Sequence, residues 1–594
     1  MAALARIWLR LDRDPETRSE IEELLATQDF AQIDKLMGSR LSFGTAGLRA
    51  PMGAGFARIN SLTIIQTSQG LAEYLLQEED ASPRSRGIVI GYDARHNSEK
   101  FAELAAAAFT AKGIPVLWYE EYVHTPMVPF AVKQLGAAAG IMITASHNPA
   151  QYNGYKVYGS NGCQINTPVD EKIAASILLN MDPITWDLTA QAERRKPILQ
   201  SMRVKYFDAL WEYAGRNTKN FPPCVYTPMH GVGCSYMKAA VANSDIIHLV
   251  EEQADPNPDF PTVSYPNPEE DGALTLAMAT ADRFDIPLII ANDPDADRFA
   301  AAEKVQGHWY QFTGDQVGVL LGTFLRETGQ LAANGLALKS VVSSQMLSAI
   351  AKDAFRVEET LTGFKWIGSR ALEMGGQYGY EEALGYMFPS ITHDKDGIAA
   401  AVIFLSACAV WGSPWARLQQ LYQQFGFFET INTYWTSPNL ATTMLVFSKI
   451  RALGSPYPTH MAGGNVLRWR DLTTGYDSST EDEKPTLPTS PKSQMITCWL
   501  EGNSSQDNNM EGDDGVRFTI RTSGTEPKIK GKQANFQIWD IAKAISCNLV
   551  YLECSAKNQE AARHGAESML QFIKTELLND PDLRMEKRYC EVLP

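Results

Sequence analysis

The chain has no Cys-x-x-Cys pair. Its eight cysteines stand apart at 163, 224, 234, 408, 498, 547, 554 and 590. That spacing argues against a zinc site and fits reduced, mostly buried thiols. No apolar run reaches the about twenty residues that cross a bilayer. The longest, Ile398–Trp411, follows Asp396-Gly397 and reads as a buried helix. Arg6, Arg10 and Asp12 break the first apolar run, so neither a leader peptide nor a membrane is expected and a cytoplasmic location is. Positive charge is short: 53 Lys and Arg against 69 Asp and Glu leave a net charge of −16. A nucleic-acid partner needs a basic face and is not expected. An anionic substrate gains nothing from the global field, so any phosphate site must be locally basic. Neither a P-loop (GxxxxGK[ST]) nor a GxSxG elbow occurs.

What is present is an ordinary globular composition, 44% hydrophobic and 21% charged, over 594 residues. That length implies about four domains. The first forty residues read as helical, with Asp14 as a cap and Pro15 in the first turn. Strand-like and helical runs then alternate: Gly87–Asp93, Ser98–Lys112, Pro115–Tyr119 and Ala139–Thr144. The pattern restarts twice, through helix 203–213 to strand 287–293, and again from Leu338. Three α/β units in series predict mixed, mostly parallel sheets. Each unit ends in a loop holding a motif, as ligand loops do at the carboxyl ends of strands. From about Thr473 to Asp514 the chain is rich in Ser, Thr, Pro, Asp and Asn, and reads as exposed loop around one short strand, MITCWLE.

Five motifs carry chemistry: FGTAGLR (Phe43–Arg49), TASHNPAQYNGYK (Thr144–Lys156), NDPDADR (Asn292–Arg298), TGFKWIG with YEEALG (Thr362–Gly368, Tyr380–Gly385), and RTSGTEPK (Arg521–Lys528). Ser146 follows an apolar strand in a loop of Asn, Pro and Gly that can leave its oxygen exposed. A Ser-His hydrolase is disfavoured because adjacent side chains, Ser146 and His147, are expected to diverge. Lys156 is near enough to act as a charge clamp or proton-transfer group. Asp293, Asp295 and Asp297 alternate at a strand end, which would put three carboxylates on one side. They repel unless a cation joins them, and hard oxygens in this number suit Mg²⁺. An EF-hand fails because Arg298 stands where that loop needs Gly and Lys304 where it needs Glu. A plain acidic turn remains the alternative. Arg521, Thr522, Ser523, Gly524 and Thr525 combine a guanidinium, hydroxyls and flexible backbone donors, the makings of a phosphate cradle or of a polar turn. Glu381, Glu382, Lys365 and Lys395 are nondescript taken singly.

Together, over roughly Leu41 to Lys528, these motifs resemble the α-D-phosphohexomutase superfamily. The resemblance implies three related α/β domains and a smaller α+β domain around a central cleft. Mapped here, they are 1–205 with the phosphoserine loop, 206–325 with the metal loop, 326–450 with the sugar loops, and 451–594 with the phosphate loop. It implies Ser146 as phosphoserine and metal ligand, and Asp293, Asp295 and Asp297 as Mg²⁺ ligands. Lys156, Lys395, Arg49 and His147 would be catalytic. Arg298, Thr362, Gly363, Lys365, Glu381, Arg521, Ser523, Gly524, Thr525 and Lys528 would bind substrate. The implied activity is intramolecular phosphotransfer between sugar 1-phosphates and 5- or 6-phosphates, through a phosphoserine and a sugar bisphosphate. A bisphosphate synthase, or a silent binding homologue, is the alternative. Sugar phosphates are the expected partners, and a monomer or weak dimer the expected state.

Two departures matter. The superfamily's sugar loop resembles Gly-Glu-x-Ser-Gly; here Ala383 removes a hydroxyl that contacts sugar in glucose-type enzymes. With TASHNP, YPNPEE, TGFKWIG and RTSGTEPK, this resembles the eukaryotic phosphopentomutase and glucose-1,6-bisphosphate synthase branch. Secondly, the strand after the phosphate loop runs on directly in the family. Here Gly531–Leu549, 19 residues and hence 57 nucleotides, intervene before VYLECSAKNQEAA (Val550–Ala562). Removing them yields KIKVYLECSAK, which keeps strand-like alternation. Gly-Lys can be encoded as GGTAAG, a splice-donor pattern, and Leu-Val by a codon ending in A followed by G, an acceptor. The expectation is a short retained intron, with a surface insertion as the alternative. Mature transcript lacking the 57 nucleotides supports it; peptides from the segment in purified protein overturn it.

Overall fold

The computed structural model describes residues 1–44, 47–78, 80–189, 191–215, 220–241, 246–352, 354–437, 440–491, 493–501, 515–522, 546–577 and 586–587. The chain divides into two compact units: residues 1–340 with 351–415, and residues 341–350 with 416–594.

The first unit opens with three helices, Ala2–Leu11, Pro15–Ala26 and Phe30–Met37. Asp14 caps the second by accepting from Glu16 N, and also accepts from Ser61 Oγ at 2.7 Å. Three sheets follow. The first holds β1 (Leu48–Pro51), β2 (Ile88–Tyr92), β3 (Val116–Trp118), β4 (Ala139–Ile143), β5 (Tyr152–Gly159) and β6 (Arg195–Pro197), in the order β1-β5-β4-β2-β3-β6. The second holds β7 (Cys224–Thr227), β8 (Ile247–Leu249), β9 (Leu288–Ala291), β10 (Ala300–Val305) and β11 (His308–Gln311), ordered β11-β10-β9-β7-β8. The third holds β12 (Leu336–Ser340), β13 (Arg356–Thr360), β14 (Tyr378–Glu381) and β15 (Gly385–Met387), ordered β13-β12-β14-β15.

Each sheet has a parallel centre and an antiparallel edge. β4, β9 and β14 pair in parallel with β2, β7 and β12, and antiparallel with the strands that follow them, β5, β10 and β15. β2, β4, β7, β9 and β12 are buried along their whole length, as both-face burial of parallel strands requires. The three turns into the antiparallel strands, after β4, β9 and β14, hold Ser146, the three aspartates and the YEEALG residues. Each turn contains one non-glycine residue in the left-handed region: Ser146 (φ 53°), Ala296 (φ 49°) and Leu384 (φ 62°). Such conformations persist only where surrounding structure enforces them, and they cluster at functional sites. The run after Asp396 is the helix Gly397–Trp411, buried along most of its length and capped by Asp396, which accepts from Ile398 N and Ala399 N. No single helix among the described residues is long and apolar enough to cross a membrane.

The second unit is one sheet: β16 (Phe427–Ser437), β17 (His460–Met461), β18 (Gly464–Asp471), β19 (Tyr476–Asp477), β20 (Met495–Glu501), β21 (Gly515–Thr522), β22 (Ser546–Ala556) and β23 (Glu586–Lys587). The helices Leu440–Arg451 and Gln559–Phe572 pack on it around Phe447, Trp469, Phe518 and Leu552. β16 pairs along its length with β22. The expected third domain, 326–450, therefore takes in a strand of the fourth sheet. Its partner lies more than a hundred residues on, and no local pattern announces such a pairing. Of the segment Gly531–Leu549, residues 531–545 lie outside the described residues. Residues 546–549 begin β22, four positions before Val550. Cys163, Cys224, Cys234, Cys408, Cys498 and Cys554 are free and buried, as expected of reduced thiols.

Candidate active site

β4 delivers the serine. Ser146 N donates to Thr144 Oγ1 at 2.8 Å, and Ser146 Oγ donates to Asp293 Oδ2 at 3.1 Å. Two expectations are corrected. Ser146 is not exposed: only 2% of it is accessible. Its side chain does not diverge from His147, whose Nδ1 lies 3.2 Å from Oγ. The left-handed turn at Ser146 makes that contact between neighbours reachable. Oγ lies between His147 and the Asp293 carboxylate rather than pairing with His147 alone as in a serine hydrolase.

The loop carrying Ser146 is held by a residue outside the motifs. Arg95 is buried, and its guanidinium donates to the carbonyls of Ser146, of Asn148 at 2.6 Å and of Pro149 at 3.1 Å. Asp93 Oδ2 lies 3.2 Å from Arg95 Nε and orients the fork. The one signal was a charged Asp-x-Arg pair straight after a wholly apolar strand. Arg49, on β1 beside β5, donates to Asn148 Oδ1 at 3.2 Å. Gly47, in the preceding motif, sits at φ 97° against the carbonyl of Tyr155, where a Cβ would collide with that carbonyl.

The three aspartates converge, though not by strand alternation. β9 ends at Ala291, and residues 293–297 form a turn through Pro294 and the left-handed Ala296. Asn292 closes it by donating to Arg298 O at 2.6 Å. Asp293, Asp295 and Asp297 are wholly buried, and each offers a carboxylate oxygen within 4.8 Å of the others'. Lys156 Nζ lies 2.7 Å from both Asp295 Oδ2 and Asp297 Oδ2. Lys395 Nζ adds a contact of 3.0 Å to Asp297 Oδ2. Asp293 Oδ1 accepts from Arg298 N at 3.0 Å.

Burial, together with Asp295 and Asp297, pushes the Asp293 carboxyl well above the usual carboxylate range. Burial also works against the charge on Asp295, but Lys156 and Thr125 outweigh it and hold that group below its ordinary value. For Lys156, burial favours the neutral amine; the two aspartates prevail and raise its pKa. Asp295 Oδ1 and Asp297 Oδ1 are buried without a hydrogen-bond partner. Buried anionic oxygens left bare are costly. Three converging carboxylates, two of them with a bare oxygen, fit a hard divalent cation.

Lys395 is placed by its neighbours. Asp394 accepts from Tyr158 OH and Gln164 Nε2, each at 2.9 Å, and Asp396 accepts from Tyr206 OH at 2.9 Å. The Lys395 ammonium also lies over the Phe364 ring, 5.6 Å from its centroid. Phe364 begins the helix Phe364–Met374, next to Thr362, Gly363 (φ 105°) and Lys365, so that loop comes to Lys395. The aspartate turn and the YEEALG turn are tied together by a bridge between Arg298 and Gly385, and Phe299 N donates to Leu384 O at 3.1 Å. The two glutamates of YEEALG separate: Glu382 is buried and accepts from Ser340 Oγ at 2.7 Å, while Glu381 is half-buried, with the Arg298 charge close by.

In the second unit, Arg521 Nη2 donates to Tyr551 OH at 2.9 Å. Ser523, Gly524, Thr525 and Lys528 lie outside the described residues. Sequence reasoning missed Asp93, Arg95, Thr125, Tyr158, Tyr206, Asp394 and Asp396. Each acts on a motif residue from a distant part of the chain or from beside it, and apart from the Asp93-Arg95 pair and the helix-starting Asp396 none stands in a recognisable pattern.

Three serial α/β units, with a serine, three carboxylates and two lysines drawn together from their loops, have the layout of the phosphohexomutase class. Family models fix the membership: phosphoglucomutase/phosphomannomutase alpha/beta/alpha domains I, II and III match residues 40–181, 204–307 and 313–425. The chain belongs to the phosphoglucomutase/phosphomannomutase family. It is 44% identical over 555 residues to a probable phosphoribomutase of Schizosaccharomyces pombe, covering 88% of this chain and 92% of that protein. It is 38% identical over 559 residues to the glucose 1,6-bisphosphate synthase of Homo sapiens, covering 88% of each. The fold is shared with a crystal structure of a putative phosphomannomutase from Thermus thermophilus, at a TM-score of 0.63 and 20% identity, covering 90% of this chain and 99% of that one.

Proposed function

We propose that the chain is a phosphopentomutase-type isomerase. It would move a phosphoryl group between the 1- and 5-positions of ribose or deoxyribose phosphate, with glucose phosphates as poorer substrates. The observation that carries this is the contact between Ser146 Oγ and Asp293 Oδ2 at 3.1 Å, which joins the phosphoryl carrier to the carboxylate cluster. The phosphoribomutase likeness supplies the substrate class.

Ser146 would alternate between hydroxyl and phosphoserine. Asp293 is placed to take its proton when the phosphoryl arrives. Asp293, Asp295 and Asp297, with the Ser146 phosphate, would hold Mg²⁺. When bound, that ion supplies charge neutralisation of the transferring group. Arg298 lies near Asp293, and with Lys156 and Lys395 it balances the three carboxylates in formal charge. A divalent cation then makes the locality positive, which answers how a chain of net charge −16 can hold a dianion. Lys156, bonded to two carboxylates with its pKa raised, serves as a charge clamp rather than a base. Arg95 orients the serine loop, and burial of Ser146 keeps water from hydrolysing its phosphate. Arg298, Thr362, Gly363, Lys365 and Glu381 are assigned to the sugar phosphate. Arg521, Ser523, Gly524, Thr525 and Lys528 are assigned to the phosphate that is not reacting.

Pentose should be preferred because Ala383 offers no hydroxyl to a hexose. A lost hydrogen bond is worth about 1 kcal/mol, hence about fivefold in kcat/KM. Ribose 1-phosphate is expected to exceed glucose 1-phosphate by at least that factor, and the reverse order refutes the preference. The same assay, run with and without sugar bisphosphate and with a high-energy acyl phosphate donor, separates a mutase from a bisphosphate synthase. A mutase needs catalytic bisphosphate only, whereas a synthase consumes the donor stoichiometrically.

A further inference from the structure

We propose that Thr125 is a positioning residue that selects which oxygen of Asp295 faces a bound divalent cation. The proposal rests on the reading of Asp293, Asp295 and Asp297 as a cation site. Thr125 stands outside the five motifs, in the segment between β3 and the helix Met127–Leu135, and is wholly buried. Its Oγ1 donates to Asp295 Oδ2 at 2.6 Å. Its backbone N donates to Asp295 O at 2.9 Å, and Val128 N donates to Thr125 O at 3.1 Å. The hydroxyl is thus carried on a backbone pinned from two sides, on a β-branched side chain that is stiff about χ1.

Asp295 Oδ2 has a second donor, Lys156 Nζ at 2.7 Å, while Asp295 Oδ1 has none. Asp297 is divided in the same way, with both lysines on Oδ2 and Oδ1 bare. In each carboxylate the chain ties one oxygen and leaves the other for a cation. Lysine alone does not enforce that division at Asp295. Its ammonium is a point charge on a flexible stem, attracts either oxygen, and bridges two aspartates. The threonine hydroxyl is directional and uncharged. It holds the carboxylate plane without lowering the negative charge that a cation requires. Groups of this kind, behind a ligand, typically change metal affinity by about 10–100-fold.

The test uses the full chain and Mn²⁺ as probe, with free Mn²⁺ followed by electron paramagnetic resonance in the absence of sugar phosphate. Thr125→Val removes the hydroxyl at nearly constant volume and is expected to weaken Mn²⁺ binding by about 10–100-fold. Thr125→Ser should bind nearly as the parent does. In turnover, the Mg²⁺ concentration for half-activation should rise in Thr125→Val while KM for the sugar phosphate stays put. Should valine disturb packing, Thr125→Ala and Thr125→Ser provide the same comparison, since both lack the methyl and only serine keeps the hydroxyl. Equal Mn²⁺ affinity in parent, Thr125→Val and Thr125→Ala, with binding lost in Asp295→Ala, overturns the role of Thr125. Failure of the parent chain to bind Mn²⁺ at all overturns the cation reading beneath it.

Discussion

Ser146→Ala is expected to abolish mutase turnover while the protein still folds. Ser146 Oγ sits against Asp293 Oδ2, whereas Thr144 Oγ1 is occupied with Ser146 N and Thr125 Oγ1 with Asp295 Oδ2. Loss of a covalent nucleophile costs rate on the order of 10⁴-fold or more, because the residual site only binds and orients. The structural cost is far smaller. The methyl group fits where the hydroxymethylene was, and Asp293 loses one donor, worth about 1–3 kcal/mol for a buried acceptor. The parent protein should carry one phosphoryl group on the peptide containing Ser146 in part of the population, and the alanine variant none. Mass spectrometry of that peptide, with a coupled assay on ribose 1-phosphate, reads both quantities. Turnover near the parent rate would remove Ser146 from the mechanism.

Lys156→Met is expected to be the most damaging single change to the carboxylate cluster. Methionine keeps the length of the stem and removes the charge that Asp295 and Asp297 share at 2.7 Å each. Breaking a buried ion pair by deleting one partner costs about 3–5 kcal/mol, since the remaining charge stays buried and uncompensated. The pH dependence follows from the directions of the shifts. The Lys156 pKa is raised on folding, so its contribution is fully present below its ordinary alkaline value and is unchanged across the neutral range. Asp295 is depressed on folding, so its contribution is present above the ordinary carboxylate value and is lost as pH falls through the folded one. The stability deficit of Lys156→Met should therefore be full at neutral pH and shrink as the carboxylates protonate in acid. Mg²⁺ should restore part of it at neutral pH by supplying the missing positive charge, while turnover stays low. Thermal unfolding with and without Mg²⁺, carried from pH 8 down to about pH 2, below the ordinary carboxylate value, measures this. A melting temperature equal to the parent's in metal-free buffer at pH 7 would show that the lysine does not clamp the aspartates.

The three α/β units were legible because buried parallel strands are short apolar runs. GIVIGYD and PLIIAND each became a strand within two residues of the expected ends. The motif-bearing loops were legible because they interrupt those runs with unusual residues. The helix after Asp396 was legible for the opposite reason, an unbroken apolar stretch with a capping carboxylate at its start. The way the aspartates meet was not legible. Alternation suggested a strand, whereas the residues form a turn whose left-handed Ala296 has no glycine to announce it. The buried state of Ser146 was not legible either, since a loop of Asn, Pro and Gly has the composition of a surface.

By itself the sequence determined the α/β class, the order of the loops and the chemical groups they carry. Those depend on local periodicity and on residue type, which are properties of short stretches of chain. Only the tertiary structure decided that Ser146 meets Asp293 across 147 positions, Lys156 meets Asp295 and Asp297 across 139 and 141, and Thr125 meets Asp295 across 170. It likewise decided that Arg95 holds the serine loop and that β16 belongs to the fourth sheet. These contacts are set by how sheets and turns pack. The sum of many weak, non-local burial terms places the side chains there, and no short window of sequence contains that sum.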